Sequence, residues 1–328
     1  MRASLKYALA IGVYVAILYV LWLAIKVDPV KLTHSALLSM TPLALAAIGE
    51  VLNEKGGLVN IGLDGIMLMT AAIGVWGAEA SGSGYVGLLV GLFVGGLVGL
   101  IMGLMSTYGK AAQIVAGIGV NIFAYGFTPF FIMAMWRFPG IRVPPKEVLA
   151  KPRTIVFNGV YFDISEITII AIILAFLVHY IIYKTPVGLR IRACGEAPEA
   201  ADVAGVGVYR VRVALSTIGG ALAGLGGAFM SLVWFGGVVK EISAGRGFLA
   251  LGCVVASGLE SIPALGFAFI FGFAEALAYS VAVAPGVKEV VPYHIVYLLP
   301  YITVLVVVSV FMRGKRFPRA LGLPYIKE

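Results

Sequence analysis

The chain is 328 residues long, 61% hydrophobic and only 12% charged, with a formal net charge of +8 and a mean hydropathy of +1.02. Soluble globular domains carry about 25% charged residues, so this composition excludes a water-soluble fold and predicts an all-α polytopic membrane protein. The basic residues sit beside apolar runs, where Lys and Arg anchor helix ends, and no basic stripe is interleaved with aromatics, which argues against nucleic acid as a partner.

At roughly 20 residues per crossing, the apolar runs predict about ten transmembrane helices in one domain covering 1–328. They lie near 7–25, 35–52, 58–78, 85–106, 112–136, 166–183, 213–234, 247–259, 264–284 and 294–312. The first run shows no small-residue cleavage site after "LWLAIK" and reads as a retained helix. The second, third and eighth are short or broken by Gly and polar residues.

Between the second and third runs stands EVLNEKGGLVNIGLDG (50–65), which crowds Glu50, Asn53, Glu54, Lys55, Asn60 and Asp64 into apolar sequence. Gly56, Gly57, Gly62 and Gly65 break the start of the third span. Broken helix at membrane depth is tolerated where it lines a cavity or is buried in protein. Asn60 and the backbone near Gly62 are expected to line a solute path, with Asp64 bracing the break; a helix-packing motif with interfacial charges is the alternative.

In the fourth span Gly87, Gly91, Gly95, Gly99 and Gly103 recur every fourth residue and form one smooth stripe suited to close helix packing. "GGALAGLGGA" (219–228) is a second such patch. Both read as packing within the subunit, with a subunit contact as the alternative. The fifth span adds Gln113 and Asn121 to the intramembrane polar residues, and the ninth adds Glu275. Such residues are costly in lipid and mark a pathway or a partner. Amides outnumber charges, which suits a neutral polyhydroxylated or heterocyclic solute; Asp64 and Glu275 keep an ion-coupled secondary transporter open.

The loop 137–165 carries Pro139, Pro144, Pro145 and Pro152, and then TIVFNGVYFDI. Asn158-Gly159 between β-prone runs predicts a hairpin with a type I′ turn, and the loop as a whole a small external cap. Basic residues in "MRASLK" and "RGKRFPR" (313–319) place both termini in the cytoplasm, and the loop 184–212 with them. In that loop Pro198 starts a short helix, Glu199 and Asp202 favour its N-terminal half, and Gly205 ends it.

Familiar catalytic patterns are missing. Gly109-Lys110 is followed by Ala111 and no GxxxxGK[ST] occurs, so ATP hydrolysis by this chain is not expected. His34, His179 and His294 are far apart, Cys194 and Cys253 fall in a loop and a span, and no GxSxG is present. No metal site, disulfide, cofactor or enzymatic activity is expected, which leaves transport.

The stretch TPVGLRIRACGEAPEAADVAGVGVYRVRVALSTIGGALAGLGGAFMSL (185–232) resembles the integral membrane permeases of ABC importers in the branch serving simple sugars, nucleosides and branched-chain amino acids. Thr185, Gly188, Arg192, Ala193, Gly195, Ala200, Ala201, Gly205 and Val206 carry the resemblance. A second match is GRGFLALGCVVASGLESIPALGFAFIFGFAEAL (245–277), and a third is NEKGGLVNIGLDGIMLMTAA (53–72), which is most similar to the nucleoside and simple-sugar permeases. Ala197 stands where the family commonly has Asn, and Glu260-Ser261 interrupts what is often Gly-Gly.

The resemblance implies a permease subunit of an ATP-driven importer for nucleosides or simple sugars, in the cell membrane, with branched-chain amino acids as the alternative cargo. It further implies a coupling helix formed by Arg192, Gly195, Glu196, Pro198, Ala200, Ala201 and Gly205 against a cytoplasmic ABC ATPase. A second permease subunit, in a heterodimer rather than a homodimer, an extracytoplasmic solute-binding protein and membrane lipid complete the expected partners. The expected path residues are Asn60, Asp64, Gln113 and Asn121, and the expected packing residues Gly91, Gly95, Gly99 and Gly103.

Overall fold

The computed structural model describes residues 28–138, 140–157, 160–283, 296–312 and 315–326. The first predicted span, His294 and the Asn158-Gly159 turn lie outside them. In chain order the helices are α1 (Pro29–Lys55), α2 (Leu63–Ser81), α3 (Gly84–Thr107), α4 (Gln113–Trp136), α5 (Glu166–Lys184), α6 (Pro186–Glu196), α7 (Pro198–Val203), α8 (Val208–Phe229), α9 (Arg246–Ser257), α10 (Ser261–Val283) and α11 (Leu299–Phe311). Among the described residues, seven helices are long and apolar enough to cross a membrane: α1 to α5, α8 with its extension to Trp234, and α10. α9 and α11 are shorter apolar helices; the 12 residues of α9 reach about 18 Å at 1.5 Å per residue.

The core is built on α1. Every residue from Leu38 through Glu54 is buried, as expected of a helix apolar all round. It is flanked by α5, α8, α9 and α10. Pro42 lies inside α1 without ending it, and next to it Thr41 donates to the Leu37 carbonyl (2.7 Å) and shares a hydroxyl contact with Thr168 of α5 (2.7 Å). α8 continues into a π-helical turn, Met230–Trp234, closed by the Phe235 N–H on the Met230 carbonyl at 2.8 Å.

The glycine stripe of α3 and the glycine patch of α8 face each other. A Cβ on Gly91 would meet Ala228 and the Gly224 carbonyl, one on Gly95 the backbone of Gly220 and Gly224, and one on Gly99 that of Ser216 and Gly220. At Gly103 the neighbours are Ser216 and Val213. The helices therefore touch backbone to backbone, and Ser216 Oγ donates to the Gly99 carbonyl (2.7 Å). Gly95→Ala is expected to lower the thermal unfolding midpoint of the purified protein, because overpacking costs about 1–3 kcal/mol. Gly119→Ala, where a Cβ meets only open space, should leave the midpoint unchanged or raise it. Equal behaviour of the two would show that the α3–α8 contact yields without cost.

At one end of the bundle β2 (Arg153–Phe157) pairs antiparallel with β3 (Val160–Ile164), Phe157 opposite Val160. The strand pairing matches the expected hairpin. A second pair was not foreseen: β1 (Ile141–Arg142) lies antiparallel to β4 (Val238–Val239) and ties the 137–165 loop to the segment after α8. Arg142 also pairs with Glu79 (2.7 Å), which accepts from Trp136 Nε1 at 2.6 Å, so the loop is fastened to α2 and α4 as well.

The third span starts at Leu63, not at 58. Gly56 caps α1, Gly57 takes a left-handed φ of +88°, and residues 58–62 carry no helix.

Candidate translocation core and coupling surface

The break between α1 and α2 has a backbone whose polar groups need partners away from water. Glu50 is fully buried and bonds one of them and one side chain of α1. Its Oε1 accepts from the Asn60 N–H (2.6 Å) and its Oε2 from Asn53 Nδ2 (2.9 Å). Asn60 Oδ1 accepts in turn from the Gly62 N–H (2.9 Å), closing the turn that starts α2.

α4 braces the same segment from the other side. Gln113 Oε1 accepts from the Val59 N–H (2.7 Å). Asn121 straddles the break: Oδ1 accepts from the Gly65 N–H (2.7 Å) and Nδ2 donates to the Ile61 carbonyl (3.0 Å). A Cβ on Gly65 would collide with the Asn121 backbone, which is why glycine stands there. Asp64 joins α2 to α9. Its Oδ1 accepts from the Gly247 N–H (3.0 Å), placing a carboxylate at the positive N-terminus of α9, and its Oδ2 accepts from Ser243 (3.0 Å) and Tyr125 (2.9 Å).

The four expected path residues thus converge on one buried segment: Asn60, Gln113 and Asn121 each spend a polar atom on its backbone, and Asp64 ties its end to α9. Asn60 Nδ2 and Gln113 Nε2 are buried without a hydrogen-bond partner.

Arg246 and Glu275, both within the 245–277 motif, form a buried ion pair; Arg246 is 5% exposed and Glu275 6%. The guanidinium also donates to the Ile242 (2.8 Å) and Ser243 (3.3 Å) carbonyls and lies 4.8 Å from the Trp234 ring centroid and 5.1 Å from that of Phe235. It pins the 235–245 segment, and with it the start of α9, to α10.

At the opposite end from the β pairs lies the 184–207 loop. α7 begins with Pro198 in its first turn and ends before Gly205, whose φ is +83°. α6 was missed by the sequence reading, although its signal was present: Thr185 Oγ1 accepts from the Gly188 N–H (3.2 Å) and Pro186 opens the helix, a cap followed by the proline that suits a first turn. Pro198 and Ala201 are buried, while Glu196, Ala197, Glu199, Ala200, Val203, Ala204 and Gly205 are exposed, Val203 at 91%. Gly195 sits against the end of α1, where a Cβ would strike the Lys55 carbonyl. Arg192 lies over the Tyr183 ring at 5.3 Å. Glu260 accepts from the Tyr183 hydroxyl and pairs with Lys55 (3.4 Å), so the charge that departs from the usual Gly-Gly has partners on α1 and α5. Cys194 and Cys253 are both buried free thiols, and no cluster of metal-ligating side chains occurs among the described residues.

The model of the family described as "branched-chain amino acid transport system / permease component" matches residues 32–308. The chain belongs to this family of transport permeases. Among its relatives, the guanosine ABC transporter permease protein NupQ of Bacillus subtilis is 34% identical over 91% of this chain and 96% of its own length. The nucleoside ABC transporter permease protein NupC of Lactococcus lactis is 30% identical over 89% of this chain and 95% of its own. The putative glucose ABC transporter permease protein TsgC13 of Haloferax volcanii is 27% identical over 85% and 90%. No solved structure matches the chain. The permease match takes in the broken segment, the α6–α7 loop and the Arg246–Glu275 pair together.

Proposed function

We propose that this permease carries nucleosides inward as one membrane subunit of an ABC importer, with ATP hydrolysed by a separate cytoplasmic subunit. The observation that carries the reading is the physical continuity between the loop and the break. The α6–α7 loop exposes a largely apolar apex, and its Gly195 rests on the end of α1, next to the segment that Glu50, Asn60, Gln113 and Asn121 hold. The names of the two relatives above 30% identity or at it support nucleosides as the cargo over sugars or branched-chain amino acids.

In this reading the loop faces the cytoplasm, with both termini on that side, and Arg192, Gly195, Glu196, Pro198, Ala200, Ala201 and Gly205 form the ATPase-contacting element. The 137–165 cap faces a binding protein outside. A second, different permease chain and lipid cover the apolar outer faces of α3 and α4, where Phe93, Ile101, Ile122, Phe123 and Phe130 are exposed. Asn60, Asp64, Gln113 and Asn121 line the path when the break opens, and Asn60 Nδ2 and Gln113 Nε2 are the donors a hydroxylated solute meets.

The test is uptake into proteoliposomes by the complex co-purified with this chain, supplied with its binding protein and with or without ATP. Labelled guanosine and uridine should accumulate only with ATP, and excess ribose or leucine should leave that uptake unchanged. Accumulation of labelled ribose or leucine instead would move the cargo to a sibling class. Gradient-driven uptake by this chain alone would overturn the ABC reading.

A further inference from the structure

Four arginines border the loop, and one of them differs from the rest. Arg190 and Arg210 are exposed and Arg192 half-buried, as interfacial anchors are, whereas Arg212 on α8 is 1% exposed. Its Nε donates to the Gly56 carbonyl (3.2 Å), its Nη1 to the Leu323 carbonyl (3.0 Å) and its Nη2 to the Cys194 carbonyl (3.4 Å). One rigid guanidinium therefore gathers three backbone segments far apart in sequence: the break, the loop and the chain near its C-terminus.

The C-terminal segment makes further bonds to the same two places. The Ala320 N–H donates to the Gly195 carbonyl (3.0 Å), and the Gly322 N–H to the Gly57 carbonyl (3.2 Å). Tyr325, 7% exposed, packs in one apolar cluster with Cys194, Ala201 and Val208. Its ring lies 5.5 Å from that of Tyr209, whose hydroxyl donates to the Tyr325 carbonyl (3.3 Å). Residues 320–325 thus lie as a strap across loop and break, over Arg212. A buried charge is held in place by the high cost of leaving it without partners, and the planar fork fixes the relative positions of the three carbonyls.

We propose that Arg212 and the 320–325 strap are the positioning device that makes the α6–α7 loop and the α1–α2 break move as one body, so that force on the loop reaches the path. This rests on the reading of the loop as the ATPase contact. Glu199, Ala200 and Val203 receive the push at the exposed apex; the strap and Arg212 carry it to Gly56 and Gly57.

The test uses the assembled importer in proteoliposomes, with a Val203→Cys reporter for cross-linking to the ATPase subunit. Two changes are compared, deletion of 320–328 and Arg212→Lys, which keeps the charge and loses the fork. Both are expected to co-purify with the ATPase, to keep the cross-link, and to hydrolyse ATP within about twofold of the parent, while solute imported per ATP falls about tenfold. The deletion should also open Cys194 to maleimide. In the intact chain burial covers that thiol and pushes its pKa up, with Arg212 acting in the opposite sense. An unchanged ratio of import to hydrolysis in either variant overturns the proposal, as does loss of assembly in both, which would make the contact one of folding alone. A missing cross-link with the C-terminus and Arg212 intact would instead sink the ATPase reading of the loop.

Discussion

Arg246→Leu should destabilise the permease by about 3–5 kcal/mol, and Arg246→Leu combined with Glu275→Leu by clearly less. The reason is the asymmetry of buried ion pairs. Removing one partner leaves the other as an uncompensated charge, whereas removing both leaves none. Arg246 is the worse single loss, because its guanidinium also satisfies the Ile242 and Ser243 carbonyls and lies over Trp234 and Phe235. The double variant still leaves the Ile242 carbonyl without its guanidinium donor, while the Ser243 carbonyl keeps the backbone N–H of residue 246 (2.8 Å), so it should fall below the parent while standing above Arg246→Leu. Thermal unfolding midpoints of the detergent-solubilised complex give the order: parent, double variant, Glu275→Leu, Arg246→Leu. Additive losses in the double variant would show that the two side chains act separately and that the pair does not hold α9 to α10.

Much of the fold is legible in the sequence. Composition alone gave the membrane class, because a chain this apolar has no polar surface to offer water. The four-residue glycine period announced a close helix contact, and Asn158-Gly159 between β-prone runs announced the β2–β3 pair. The polar run at 50–65 announced a break. What could not be read was the partner in each case. Nothing in the α3 period says that α8, more than 100 residues on, supplies the facing glycines. Nothing in Asn121 or Gln113 says that their amides turn to the backbone of 59–65, because a hydrogen bond across 50 or more positions leaves no local pattern. The same holds for β1 with β4 and for the three carbonyls of Arg212. α6 differs, because its start is local: the Thr185 cap and Pro186 in the first turn mark a helix from two adjacent residues.

Glu50→Leu should abolish solute uptake by the assembled importer and lower the unfolding midpoint, whereas Glu50→Gln should change both little. Glu50 has no route to water, so its two oxygens act only through the Asn60 N–H and Asn53 Nδ2. Leucine leaves both donors buried without an acceptor, at about 1–3 kcal/mol each. The turn before Gly62 then loses its anchor to α1, and Asn60 loses the bond that orients it at the start of α2. Glutamine can replace both contacts if Asn53 turns its amide over. The glutamine carbonyl accepts from the Asn60 N–H, and its amide donates to Asn53 Oδ1, an atom that is buried and unpartnered as the residue now stands. ATP-dependent solute uptake and thermal unfolding of the complex separate the cases. If leucine and glutamine behave alike and both retain uptake, the break is held by Gln113, Asn121 and Asp64 without Glu50. If both fail, the break requires two acceptor oxygens on one side chain, which glutamine cannot supply.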